Sequence, residues 1–115
     1  VYPTRRAGGW IPRLFRTIRP VHRSLVERRL TEVGGRLRAL RDELRVIDEQ
    51  LQHLGDEADD ARLRALVSET PLADKEEREA RRHADAMARR RQEVVGTITS
   101  LEARLDELLD QLSPH

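Results

Sequence analysis

The sequence predicts an all-α fold: a long antiparallel coiled-coil helical hairpin with a short N-terminal amphipathic helix. Three observations carry this expectation. Aliphatic residues recur at alternating steps of four and three along two long stretches. A helix-restart signal, Ser68-Glu69-Thr70-Pro71, lies between those stretches. The aromatic residues, 3% of the chain, are confined to Tyr2, Trp10 and Phe15, ahead of both. At 115 residues the chain has the size of one domain. A composition rich in Leu, Ala, Glu, Asp and Arg fits either long helices or disorder, and the periodicity decides for helices.

Residues 1–20 read as a basic N-terminal arm and a short helix. Pro3, Gly8 and Gly9 mark the arm as extended. From Trp10 to Arg19 the pattern is amphipathic, with Pro12 early enough to sit in a first helical turn. At 100° per residue, Trp10, Ile11, Leu14, Phe15 and Ile18 fall within an arc of about 140°. Arg13, Arg16 and Arg19 occupy the opposite side, and Pro20 is expected to end or kink the helix.

Residues 21–115 read as the hairpin. The first seam is Val26, Leu30, Val33, Leu37, Leu40, Leu44, Ile47, Leu51 and Leu54, continuing through Ala58, Ala61 and Ala65. Gly34, Gly35 and Gly55 are weak points, each costing the helix about 1 kcal/mol. The turn is expected near 68–71, with Thr70 as N-cap and Pro71 at the first helical position. Asp74, Glu76 and Glu77 then place negative charge near the positive helix end. The second seam runs Ala80, Ala84, Met87, Arg91, Val94, Ile98, Leu101, Leu105, Leu108 and Leu112.

Antiparallel pairing of residues whose numbers sum to 138 sets Val26 against Leu112, Leu37 against Leu101 and Leu54 against Ala84. That register centres on residue 69, inside the turn. Each arm would then run about 40–45 residues, or roughly 60–65 Å. Two layers break the apolar pattern, Ile47 with Arg91 and Ala61 with Glu77. A seam arginine is expected to carry its head out to water and to help fix register at some cost in stability. The same seams are compatible with intermolecular pairing. Off-seam Leu25, Val46, Val95 and Leu109 offer surface for a homodimeric four-helix bundle.

Charge is unevenly distributed although the net is only +1. Residues 1–41 carry a net +9, residues 42–55 a net −3, residues 56–79 a net −5, and the remainder balances. All basic residues but Lys75 are arginine, for which a GC-rich genome is the simplest source.

Little in the sequence points to chemistry. Without cysteine there are no disulfides, thiolate sites or cysteine nucleophiles. No glycine-rich phosphate loop, paired-histidine zinc motif or nucleophile elbow is present. His53 and His83 fall on one side of the expected hairpin with Glu57 and Asp60 nearby, and read as exposed polar helix surface. Neither a metal nor a cofactor is expected, and the chain does not read as an enzyme. No apolar run reads as a secretory signal or membrane span, so a cytoplasmic location is expected.

Asp56, Glu57, Asp59 and Asp60 form a candidate acidic projection. The spacing Asp56-x-x-Asp59-x-Ala61 resembles the tip signature of bacterial transcription regulators that insert an acidic coiled-coil hairpin into the RNA polymerase secondary channel. The likeness covers six residues, and the family's cysteine zinc module is absent. It implies Asp56, Asp59 and Ala61 at the tip of the hairpin.

The expected function is that of a non-enzymatic coiled-coil interaction or adaptor protein. Its candidate partner-binding residues are Trp10, Ile11, Arg13, Leu14, Phe15, Arg16, Ile18 and Arg19, docking in a groove of a larger protein partner. Three alternatives compete for that segment. It could cap the Leu-rich base of its own hairpin, lie on an anionic membrane surface, or neutralise nucleic-acid phosphates. The last would suit a nucleic-acid-associated or RNA-polymerase-binding regulator that uses the Arg-rich end and the acidic region.

Overall fold

The computed structural model describes the backbone of residues 2–113 and the side chains of residues 22–113, and the side-chain expectations for residues 1–20 lie outside them. The chain forms two α-helices, α1 (Tyr2–Ser68) and α2 (Pro71–Leu112), joined by Glu69 and Thr70. No strand occurs among the described residues. The fold class is all-α.

Local chemistry explains why the chain turns where it does. Glu69 takes the left-handed conformation, with φ of 49°. Its N–H donates to the Ala65 carbonyl at 3.1 Å, which closes the last turn of α1 in the manner of a left-handed C-cap. The Thr70 hydroxyl then accepts a hydrogen bond from the Ala73 N–H at 3.1 Å. This is N-cap geometry, and it satisfies one of the orphan donors of α2. The Asp74 N–H donates to the Thr70 carbonyl at 3.1 Å, starting the α2 ladder. Pro71 occupies a position where no N–H is needed, so the reversal is completed in two residues.

The chain divides into two compact units. One is Leu37–Leu101, a helical hairpin that contains the turn. Its buried residues are Leu37, Ile47, Ala61, Ala73, Val94 and Ile98. Leu40, Leu44, Leu51, Leu54, Ala58 and Ala65 on α1, with Ala80, Ala84, Met87 and Leu101 on α2, are half-buried. The buried side chains thus follow the three-and-four spacing on both helices, and the core is a single stripe per helix. Burial of each Leu, Ile or Val in it contributes about 1.5–3 kcal/mol. Alanines on the stripe next to the turn allow closer approach of the two backbones than the leucines farther from it.

The other unit comprises Val1–Arg36 with Glu102–His115. Val26 and Leu108 are buried there, and Leu30, Val33, Leu105 and Leu112 are half-buried. Leu25 and Leu109, one residue off the stripe on either helix, are exposed. A shift of one residue rotates a side chain by about 100°, which is enough to move it out of the contact.

No described polar or charged side chain is buried, and none is left as a buried atom without a partner. The wet faces carry local ion pairs, Arg23 with Glu27 at 3.1 Å and Arg104 with Glu107 at 3.0 Å among them. Thr31, Thr97 and Thr99 turn their hydroxyls back onto the carbonyls of Glu27, Glu93 and Val95. Those hydrogen bonds let polar residues sit in a helix interior without an outside partner.

Candidate interaction surfaces

Within the hairpin Leu37–Leu101, two arginines of α2 bind carboxylates of α1. Arg91 sits on the apolar stripe, yet its Nε donates to Asp48 Oδ1 at 2.6 Å. The stem covers the seam while the guanidinium leaves it. The neighbouring Arg90 bonds Glu43 across the hairpin and approaches Glu93 of its own helix at 3.6 Å. The hydrogen bond that it donates to Glu43, followed by the charge of that carboxylate, holds the Arg90 guanidinium above its ordinary pKa. Both pairs are solvent-accessible, so they favour one lateral alignment of the helices more than they add stability.

Glu77, the other polar residue on the stripe, is handled differently. Its side chain is only 18% exposed, and its carboxylate accepts from Arg81 Nη2 one turn later, at 3.3 Å. The aliphatic part of the glutamate covers the seam beside small alanines, and its charge is answered on its own helix.

The acidic residues Asp56, Glu57, Asp59 and Asp60 are all exposed on α1. Glu57 Oε1 lies 3.1 Å from His53 Nε2, an intrahelical pair. Glu57 and Asp60 also line an open cleft of about 490 Å³ whose opposite wall includes Glu76, Glu79 and His83. Among the described residues no three His, Asp or Glu side chains are grouped to hold a metal ion. The cleft is therefore a charged groove between two helices and carries no ligand set.

The placement expected from the RNA-polymerase-regulator likeness is not observed. Asp56 and Asp59 lie on the flank of α1, and the reversal comes later, at Glu69 and Thr70. Ala61, which that likeness puts at a tip, is a core residue with 2% exposure. The reason is periodicity: Ala61 continues the apolar stripe, so the helix must run on past it.

No family model, curated protein or solved structure matches this chain.

The side chains of the candidate partner-binding residues Trp10, Ile11, Arg13, Leu14, Phe15, Arg16, Ile18 and Arg19 lie outside what the structure describes. One surface escaped the sequence reasoning. Leu63, Leu66, Val67 and Leu72 are exposed by 61%, 65%, 85% and 65%, and all four lie within a few residues of the turn. Their signal was present: three aliphatic residues spaced i, i+3, i+4 on the side of α1 away from its stripe. Among the described residues no helix is long and apolar enough to cross a membrane.

Proposed function

We propose that this protein is a non-enzymatic interaction protein, an antiparallel coiled-coil hairpin that presents a basic amphipathic N-terminal segment to a larger protein partner. The observation that carries the reading is how the apolar residues are divided. Within each unit the buried positions of the α1 and α2 stripes are filled by Leu, Ile, Val and Ala. All three aromatic residues lie in residues 1–15, a segment that the stripes do not need. Large aromatic side chains together with arginine are the residue types that dominate binding energy at protein interfaces.

One further feature supports a role in binding. The inter-helix ion pairs at Arg90 and Arg91 stiffen one alignment of the hairpin, as suits a spacer.

The test compares the full chain with W10A/F15A in quantitative capture from the native cell, at low salt and at about 0.5 M salt, where charge contacts are screened to within a few ångströms. Loss of the same protein partner from the variant, with binding by the native chain surviving salt, is the expected result. Capture of nucleic acid or anionic vesicles that is abolished by salt would overturn the reading in favour of phosphate binding. Identical capture by both chains would overturn the role of the N-terminal segment.

A further inference from the structure

The hairpin Leu37–Leu101 has two flanks beside its apolar stripes, and an inter-helix ion pair marks each. Asp48 follows the stripe residue Ile47 and bonds Arg91, whereas Glu43 precedes the stripe residue Leu44 and bonds Arg90. On the Glu43 flank, steps of seven residues along α1 lead to Gln50, Glu57 and Arg64. The same steps from Arg90 back along α2 lead to His83 and Glu76. A groove runs between these two rows. The open cleft of about 490 Å³ forms its end nearer the turn, with His83 in its wall. His83 also borders a hollow floored by Leu54 and Met87, and these two floor a third hollow, of about 440 Å³, beside Gln50 and His53. The shared residues make the three continuous over about 14 residues of α1, or roughly 21 Å.

The two ends of the groove differ in chemistry. Leu54 and Met87 hold stripe positions but are only half-buried, because Ala58 and Ala84, the next stripe residues toward the turn, are too short to cover them. Ala86 is exposed on the wall beside them. At the turn end the walls carry Glu57, Asp60, Glu76 and Glu79 against Arg64. Glu57 is paired with His53, but Asp60, Glu76 and Glu79 have no ion-pair partner among the described residues. The cation at the other end, Arg90, is already bonded to Glu43.

We propose that this groove seats one amphipathic α-helix of a different protein, aliphatic along one face and carrying Lys or Arg beside that face toward the turn end. The aliphatic face covers Leu54, Met87 and Ala86 as a third helix of the bundle, and the basic flanks meet Asp60, Glu76 and Glu79. A second copy seated by the same groove is disfavoured, because it would bring further carboxylates and no uncommitted cation except Arg64. The contact is short, so it is reversible and responsive to salt. It does not rest on the role proposed for residues 10–19.

Nuclear magnetic resonance on the full chain, labelled with carbon-13 at the methionine methyl, tests it. Met87 is the only methionine, so its resonance reports the groove floor directly. The probe is a synthetic helix of about 14 residues, long enough to span the groove, with Leu along one face and Lys on both flanks of it. A control peptide has Glu in place of every Lys. The Leu/Lys peptide should move the Met87 resonance saturably, and the Leu/Glu peptide should bind about tenfold more weakly. Ala86→Arg keeps a good helix former at an exposed position and should weaken binding of the Leu/Lys peptide by about tenfold or more. Ala103→Arg adds the same charge at an exposed position outside the hairpin and should leave binding unchanged. E76Q/E79Q should weaken it by about threefold or more. Unchanged far-UV circular dichroism verifies that each variant is folded. No binding of the Leu/Lys peptide, equal binding of both peptides, or equal losses in Ala86→Arg and Ala103→Arg would overturn the proposal. So would a Met87 resonance that moves with protein concentration or in W10A/F15A without peptide, by showing that a second copy or the N-terminal segment fills the groove. Partner capture through Trp10 and Phe15 should survive Ala86→Arg, so this proposal and the proposed function fail separately.

Discussion

Arg91 Nε lies 2.6 Å from Asp48 Oδ1 across the hairpin, although Arg91 occupies a stripe position that nearly all its counterparts give to aliphatic residues. The two side chains are 43% and 49% exposed, so the pair contributes no more than about 1 kcal/mol. Asp48 directly follows the buried Ile47, and a leucine in place of Arg91 would extend that apolar layer. Arg91→Leu should therefore raise stability by about 1 kcal/mol in urea unfolding followed by circular dichroism. Asp48→Ala should cost under about 1 kcal/mol. A loss of more than about 2 kcal/mol in Arg91→Leu would show that the arginine is a structural necessity.

Glu69 holds φ of 49°, a conformation that costs a residue with a side chain about 1 kcal/mol or more. Glycine has no such cost but loses more freedom on folding. The balance favours Glu69→Gly by about 0.5–1 kcal/mol, seen as a higher urea midpoint with an unchanged slope. A lower midpoint would mean that the Glu69 side chain makes a contribution larger than the strain.

Thr70→Ala removes the acceptor that Ala73 N–H uses at 3.1 Å and should cost about 1 kcal/mol. Thr70→Ser keeps the oxygen and should cost little. Equal losses in the two variants would assign the effect to the threonine methyl group instead of the cap.

Gly55 and Gly96 lie inside helices, and a methyl group built on either would meet nothing within 4 Å. Gly55→Ala and Gly96→Ala should each stabilise by about 0.5–1 kcal/mol. Thermal melts of the single and double variants check this. Additive gains are expected, since the substitutions share no neighbour.

Leu37 and Leu108 are 2% and 0% exposed, whereas Leu66 is 65% exposed. Leu37→Ala and Leu108→Ala should each cost about 2–5 kcal/mol, and Leu66→Ala under about 0.5 kcal/mol. Comparable losses at Leu66 and Leu37 in a dilute sample would show that the turn-end leucine is covered even in the isolated chain.

Much of the architecture was legible because it is written in short-range terms. A three-and-four spacing of aliphatic residues identifies the buried stripe before any partner is known, and each of Val26, Leu37, Ile47, Ala61, Ala73, Val94, Ile98 and Leu108 lies on it. Thr70-Pro71 announces a helix start because cap geometry involves only four consecutive residues. The sequence alone also indicated that Arg91 must take its charge out of the seam, since a desolvated guanidinium is too costly.

What tertiary structure decided is which residues face each other and which remain uncovered. Asp48 as the partner of Arg91, and Glu43 as that of Arg90, depend on the lateral alignment of two helices, to which many acids would be equivalent in a one-dimensional pattern. The tip placement implied for Asp56, Asp59 and Ala61 was, by contrast, already at odds with the sequence, whose seam runs through Ala61 to a turn near 68–71. Leu63, Leu66 and Val67 are the clearest instance of what was left to the fold. Periodicity puts them off the stripe, but an off-stripe leucine is exposed only if no other surface comes to cover it. That is a property of the folded chain as a whole, because burial is defined by neighbours distant in sequence and helical periodicity by neighbours a few residues away.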